Sequence, residues 1–267
     1  MKVQNKVIIV TGGGSGMGRE LVLNLLAKDA KVIAIDINQS GLEETVALAG
    51  ANKDALSTFV IDITSKTEIE ALLEKTIAQF GFVDGIINNA GIIQPFVKVN
   101  ELGYEVIERV MNVNFYGTLY MTKTFLPHLF TRPEAHIMNI SSMGGFLPVP
   151  GQSVYGASKA AVKLLTEGLH SELTNTNVKV TVVFPGAVNT NITKNSGINM
   201  PQPTGSEAKS MKVLSAEKAA QIIIDGMEKN GYHVLVGKDA VFMDLIYRIN
   251  PRRAANFINK KMQALLS

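Results

Sequence analysis

The stretch Val7-Ile8-Ile9-Val10-Thr11-Gly12-Gly13-Gly14-Ser15-Gly16-Met17-Gly18 decides the fold. Its aliphatic run reads as a strand over Lys6–Val10, covered on both faces. A helical pattern follows over Gly18–Lys28. Glycines between strand and helix let backbone amides approach a pyrophosphate, and the helix N-terminus adds a partial positive charge. The spacing is Gly-x-x-x-Gly-x-Gly, not Gly-x-Gly-x-x-Gly. A nucleoside triphosphatase loop ends in Gly-Lys-Ser/Thr, whereas Gly18 is followed by Arg19-Glu20, which argues against that class. The bland alternative is a glycine-rich turn that binds nothing.

The same alternation continues along the chain. Short β-branched runs at Lys31–Ile35, Leu56–Val60, Gly85–Asn88, His136–Ile140, Lys179–Phe184 and Tyr232–Val236 read as further strands. Helical periodicity fills Lys66–Phe80, Tyr104–Phe130 and Tyr155–Asn175. This predicts an α/β protein with a doubly wound parallel sheet of Rossmann type, three layers deep, in one domain over 1–267. Two segments break the rhythm. Residues 191–215, rich in Asn, Ser, Pro, Gly and Thr, read as a lid. Residues 240–267 form an amphipathic extension, with Val241, Phe242, Leu245, Ile246 and Ile249 at helical spacing.

Composition bounds the function. The 267 residues are 46% hydrophobic, enough for a large core, and the net charge is only +3. No like-charged run suggests nucleic acid. The absence of cysteine removes disulfides, thiolate catalysis and Cys-based zinc sites, and no metal site is expected. No stretch approaches the roughly 20 apolar residues of a membrane helix, and none resembles a secretory signal. A cytoplasmic protein is expected.

Asp36 ends the second strand, where a carboxylate can accept hydrogen bonds from the adenosine ribose hydroxyls and would repel a 2′-phosphate. No Arg or Lys stands at Ser15, Ile37 or Asn38. NAD is therefore expected over NADP, although an Asp in this place also serves as a helix cap.

Tyr155 and Lys159, four residues apart on one helix, share a face. An ammonium about 4 Å away is worth roughly 4 kcal/mol at an effective dielectric of 20. That would lower a phenol from about 10 by up to about three, into the range of a general acid/base near neutrality. Alone, Tyr-x-x-x-Lys is a common pattern.

Taken together the motifs resemble the short-chain dehydrogenase/reductase family over roughly residues 5–240. Thr11–Gly18 is similar to its cofactor loop, Asp62-Ile63 to its adenine-contacting pair, and Asn88-Asn89-Ala90-Gly91 to its fourth-strand signature. Asn114, Ser142, Tyr155 and Lys159 stand where the family's catalytic tetrad does. Pro185-Gly186 with Val188 and Thr190 resembles its nicotinamide-side motif. The resemblance implies cofactor contacts from Gly12, Gly14, Ser15, Gly16, Met17, Gly18, Asp36, Ile37, Asp62, Ile63, Asn89, Ala90, Gly91, Tyr155, Lys159, Pro185, Gly186, Val188 and Thr190. It implies an enzyme that interconverts a secondary alcohol and a ketone with NAD. Tyr155 would exchange the proton and Ser142 would hold the substrate oxygen. Lys159 would bind the nicotinamide ribose and lower the tyrosine pKa, while Asn114 anchors a water linking Lys159 to solvent. Ser142 could instead be a turn residue beside Ser141, and Asn114 could merely bridge backbone at a helix kink.

The family builds its substrate site after the fourth, fifth and sixth strands. That points to Gln94, Phe96, Met143, Phe146, Leu147 and Val149, and to an apolar small-molecule substrate; packing against a lid or partner is the alternative. A homodimer or homotetramer is expected. The basic tail Arg248–Ser267 could pack across a subunit interface, shield the pocket, or lie on an anionic membrane surface. The competing function is a binding protein that senses NAD(H) without turnover; the presence of both Tyr155 and Lys159 weighs against it. Epimerase-type relatives have longer chains, and enoyl reductases space their Tyr and Lys more widely.

Overall fold

The computed structural model describes residues 1–198 and 213–262. The chain runs β1 (Val7–Thr11), α1 (Gly16–Leu26), β2 (Lys31–Asp36), α2 (Gln39–Ala49), β3 (Leu56–Val60), α3 (Lys66–Phe80), β4 (Gly85–Asn88), α4 (Tyr104–Met111), α5 (Thr118–Leu129), β5 (Ala135–Ile140), α6 (Ser153–Glu172) and β6 (Val178–Pro185). It continues through β7 (Val188–Asn189), α7 (Ile192–Asn195), β8 (Leu214–Ser215), α8 (Ala216–Glu228), β9 (His233–Val236), α9 (Lys238–Ile249) and α10 (Pro251–Met262). Seven strands form one sheet in the order β3-β2-β1-β4-β5-β6-β9, and every pair is parallel.

Strand alternation explains why the sheet needs two covers. Ile8 and Val10 of β1 enter a core with α1 and α8, while Val7 and Ile9 enter a second core with α3 and α5. All four are at most 1% exposed, so neither face could be left wet without losing a large apolar contribution. The order reverses between β1 and β4. Ligands of open α/β sheets bind at the carboxyl ends of the strands beside such a reversal.

The helix expected over Tyr104–Phe130 is not continuous. A π-helical turn, Asn112–Gly117, separates α4 from α5. Such a turn is fixed by contacts with other elements, which local periodicity does not record. Gly117 allows the turn to sit against Ile63, whose Cδ1 would lie 2.6 Å from an added Cβ.

The expected lid is represented by α7 and β8; its residues 199–212 lie outside the described part, as do 263–267 of the C-terminal extension. The extension forms α9 and α10, which close a third apolar cluster around Leu147. Among the described residues, no helix is long and apolar enough to cross a membrane.

His136 on β5 is fully buried, sharing Nε2 with Thr181 Oγ1 at 2.8 Å, while Nδ1 has no partner among the described residues. Burial, reinforced by the chain's N-terminal charge and Lys179, pushes its pKa down to about 3. An unfolded histidine takes its proton near about 6.5. Stability is therefore complete above that pH and falls as pH drops toward 3, by roughly 1.4 kcal/mol per unit for this group. His136→Gln should flatten the acid side of the stability profile, read from urea midpoints at neutral and mildly acidic pH. Equal acid losses in both proteins would show that His136 is not the sensitive group.

Candidate active site

The site begins where β1 and β4 end side by side. Thr11 Oγ1 accepts the amides of Asn89 and Ala90, both at 2.9 Å, and Asn89 Nδ2 returns a bond to the Thr11 carbonyl at 3.0 Å. Beyond this clamp the chain turns into α1 with Gly12 at φ +70° and Gly16 at φ +50°, conformations that favour glycine. A Cβ on Gly18 would collide with the Gly12 carbonyl oxygen. Ser15, the residue before α1, makes no side-chain cap; its hydroxyl instead meets Asn195 Nδ2 of α7 at 2.7 Å. An uncapped helix N-terminus behind bare glycines fits a pyrophosphate.

Asp36 faces this turn. Its Oδ2 accepts the Gly14 amide and its Oδ1 the Asn38 amide, each at 3.0 Å. Arg19 is turned beneath the loop. Its guanidinium donates to the Gly14 and Gly41 carbonyls and pairs with Glu44 at 2.6 Å.

A cleft of about 730 Å³ runs from Asp36 to Tyr155. Every residue expected to contact the cofactor borders it, from Gly12 through Asp62, Ile63 and Gly91 to Thr190. Ser142, Tyr155 and Lys159 lie on the same wall. Asn89 lines it, whereas Asn88 is buried beneath, donating to Asn139 Oδ1 at 2.8 Å.

Tyr155 and Lys159 are held by α6. Lys159, 4% exposed, donates to the Ile140 carbonyl at 3.0 Å. Burial pushes its ammonium down to about 8. The expectation that Lys159 would depress Tyr155 does not match: burial pushes the phenol up, and the Ser142 hydroxyl pulls the other way. The ammonium spends its hydrogen bond on the β5 carbonyl, and its own desolvation dominates. The structure also separates the neighbouring serines. Ser141 Oγ donates to the Lys159 carbonyl at 2.7 Å, fixing β5 to α6, and Ser142 is left beside the phenol.

Asn114 sits in the π turn, fully buried and behind the cleft wall. Its Oδ1 accepts the Ile92 amide at 2.8 Å, and its Nδ2 donates to the Ile92 carbonyl and to Ser158 Oγ, both at 2.9 Å. The backbone bridge considered from the sequence is thus present. Gly91 separates this amide from Lys159: a Cβ there would stand 3.2 Å from Asn114 Oδ1 and 3.0 Å from Lys159 Nζ.

The six residues assigned to substrate are not on the cleft. Leu147 is fully buried against Met243, Ala254 and Ile258, and Met143, Phe146 and Val149 pack on the same cluster. Phe96 is half-buried outside the lining. Gln94 departs furthest from the expectation. It is fully buried; its Oε1 accepts the amides of Val154 and Tyr155 at 2.9 Å, and its Nε2 donates to the Gly151 carbonyl at 2.9 Å. Gln152 Nε2 donates back to the Gln94 carbonyl at 2.8 Å. Gln94 therefore caps the helix that carries Tyr155. Its partners lie some sixty residues away, so no local pattern could have shown it. Ile93 and Ile192 border the cleft instead.

A glycine-bridged strand reversal, an acidic end to the second strand and a Tyr–Lys helix beside Ser142 thus share one cleft. The model of the short chain dehydrogenase family matches residues 6–200. The chain belongs to that family. SadH of Mycobacterium tuberculosis, named as an oxidoreductase, is 38% identical over 252 residues, 92% of this chain and 91% of its own. A short-chain dehydrogenase from Burkholderia phymatum, solved in complex with NAD, superposes with a TM-score of 0.84 at 25% identity, covering 94% of this chain and 96% of that one. A Burkholderia cenocepacia member holding NADP gives 0.79 at 25% identity, with 97% and 99% covered.

Gln94→Leu should strip two part-buried amides of their acceptor and cost about 2–4 kcal/mol of stability, measured by chemical denaturation. A residue that only touched substrate would leave the midpoint unchanged.

Proposed function

We propose that this short-chain dehydrogenase is an NAD(H)-dependent enzyme that interconverts a secondary alcohol and a ketone of apolar character. The observation that carries this is the placement of Tyr155, Ser142 and Lys159 on the wall of the same cleft that begins at Asp36. The bare glycines and uncapped α1 terminus suit the pyrophosphate. Asp36 suits the adenosine ribose, and Arg19, beneath the glycine loop, is committed to Glu44 and two carbonyls. When bound, the nicotinamide supplies or accepts the hydride.

The chain's own residues move the proton. Tyr155 donates its hydroxyl proton to the substrate oxygen during reduction and recovers it during oxidation. Ser142 Oγ donates a hydrogen bond to the same oxygen. Because burial keeps the phenol protonated, Tyr155 is ready as an acid at neutral pH, and alcohol oxidation should rise with pH. Lys159, its ammonium pushed down to about 8 by burial, would hold the nicotinamide ribose. Asn114, through Ile92 and Gly91, holds the wall at which a water links Lys159 to solvent. Ile93 and Ile192 give the substrate end its apolar character, and α7, with Ile192 and Asn195 on the cleft, forms the described part of its lid. The working assembly is a homodimer or homotetramer.

Tyr155→Phe should lower turnover by about a hundredfold or more while NADH affinity, read by fluorescence titration, stays near that of the parent. Near-parental turnover would remove the tyrosine from the reaction. If the parent binds NADH but turns over none of a broad panel of alcohols and ketones, the NAD(H)-sensing alternative takes its place. Asp36→Ala should narrow the preference for NAD over NADP in kcat/KM by about tenfold; an unchanged ratio would contradict the ribose contact.

A further inference from the structure

The C-terminal pair of helices presents two apolar faces, and among the described residues only one is covered. On α9, Ala240 is buried and Met243, Ile246 and Tyr247 turn inward toward Leu147. Val241, Phe242, Leu245 and Ile249 turn outward, with Leu245 57% and Ile249 76% exposed. Their spacing places them on one stripe of the helix. Phe257 of α10 extends that stripe, its ring 6.3 Å from Phe242, with Lys261 lying over it at 4.9 Å.

The charge around the stripe is one-sided. Residues 238–262 contain six basic and two acidic side chains, although the whole chain is only +3. Both acids are engaged: Asp239 accepts the Ala187 amide at 2.7 Å, and Asp244 pairs with Arg248 at 2.7 Å. Arg252, Arg253, Lys260 and Lys261 are exposed and, among the described residues, make no ion pair within 4.0 Å. From Arg248 to Ser267 the sequence holds no acid at all.

We propose that the outer face of α9 and α10 docks on an anionic lipid bilayer. The apolar stripe enters the interface between headgroups and acyl chains, and Arg252, Arg253, Lys260 and Lys261 meet lipid phosphates. Charge decides the occupant. A second copy meeting this face symmetrically would set like charges against each other, with no free acid on the patch to pair them. A surface rich in phosphates complements the rim and leaves the stripe in apolar contact. The same two helices pack on Met143 and Phe146, in the segment that follows Ser142.

The test is sedimentation of the full chain with vesicles of phosphatidylcholine alone and of an equal mixture with phosphatidylglycerol. The chain should pellet with the mixed vesicles only and release in molar salt. Arg252→Glu with Arg253→Glu, and separately Phe242→Ser with Leu245→Ser, should each lower partitioning by about tenfold. The chain has no tryptophan, so Phe242→Trp gives a single reporter. Its emission should shift blue on mixed vesicles and be quenched by brominated acyl chains. No pelleting, equal pelleting with neutral vesicles, or an unshifted reporter overturns the proposal. So does a fall in solution mass by light scattering in the Phe242→Ser, Leu245→Ser protein, which would assign the face to a second copy.

Discussion

The turn from β1 into α1 is the constraint on which the site rests. It brings a helix N-terminus against the end of a central strand so closely that Gly18 has no room for a Cβ beside the Gly12 carbonyl. Thr11 then ties this turn to the end of β4 through two amides and a carbonyl. The cleft exists because the sheet order reverses between those strands. A larger residue at the turn would push α1 away and separate the amides that suit a pyrophosphate from Asp36.

At the other end of the cleft, burial sets the chemistry. Lys159 is among the few charged side chains in the interior, with one carbonyl partner, and its ammonium is weakened accordingly. The neighbouring phenol is raised, not lowered. Both shifts have one cause: low-dielectric surroundings disfavour either charged form. Desolvation therefore favours the uncharged form of both groups, while the Ser142 hydroxyl pulls the phenol the other way. Gln94 and Gln152 support this arrangement from below by fixing the first turn of α6.

Much of this was legible in the sequence, for physical reasons. Gly85–Asn88, buried on both faces, matches its observed limits, and so does the half-buried edge strand Leu56–Val60, read from its β-branched and aromatic residues. Lys66–Phe80 is bounded by the Ser65 cap and by Gly81 at φ +78°. The glycine loop, Asp36 and the Tyr155–Lys159 pair are local patterns with local causes. What was hidden depends on distant contacts. The π turn at Asn112–Gly117 and the Gln94 cap are set by partners in other elements. Likewise Phe146 and Leu147 read as pocket residues until α9 and α10 are seen to cover them.

In the proposed function, Asp36 and the turn beside it hold a dinucleotide without a 2′-phosphate. Calorimetric titration of the full chain with NADH and with NADPH tests it most directly. NADH should bind at least about tenfold more tightly, a difference of roughly 1.4 kcal/mol. Equal affinity, or tighter binding of NADPH, would contradict it.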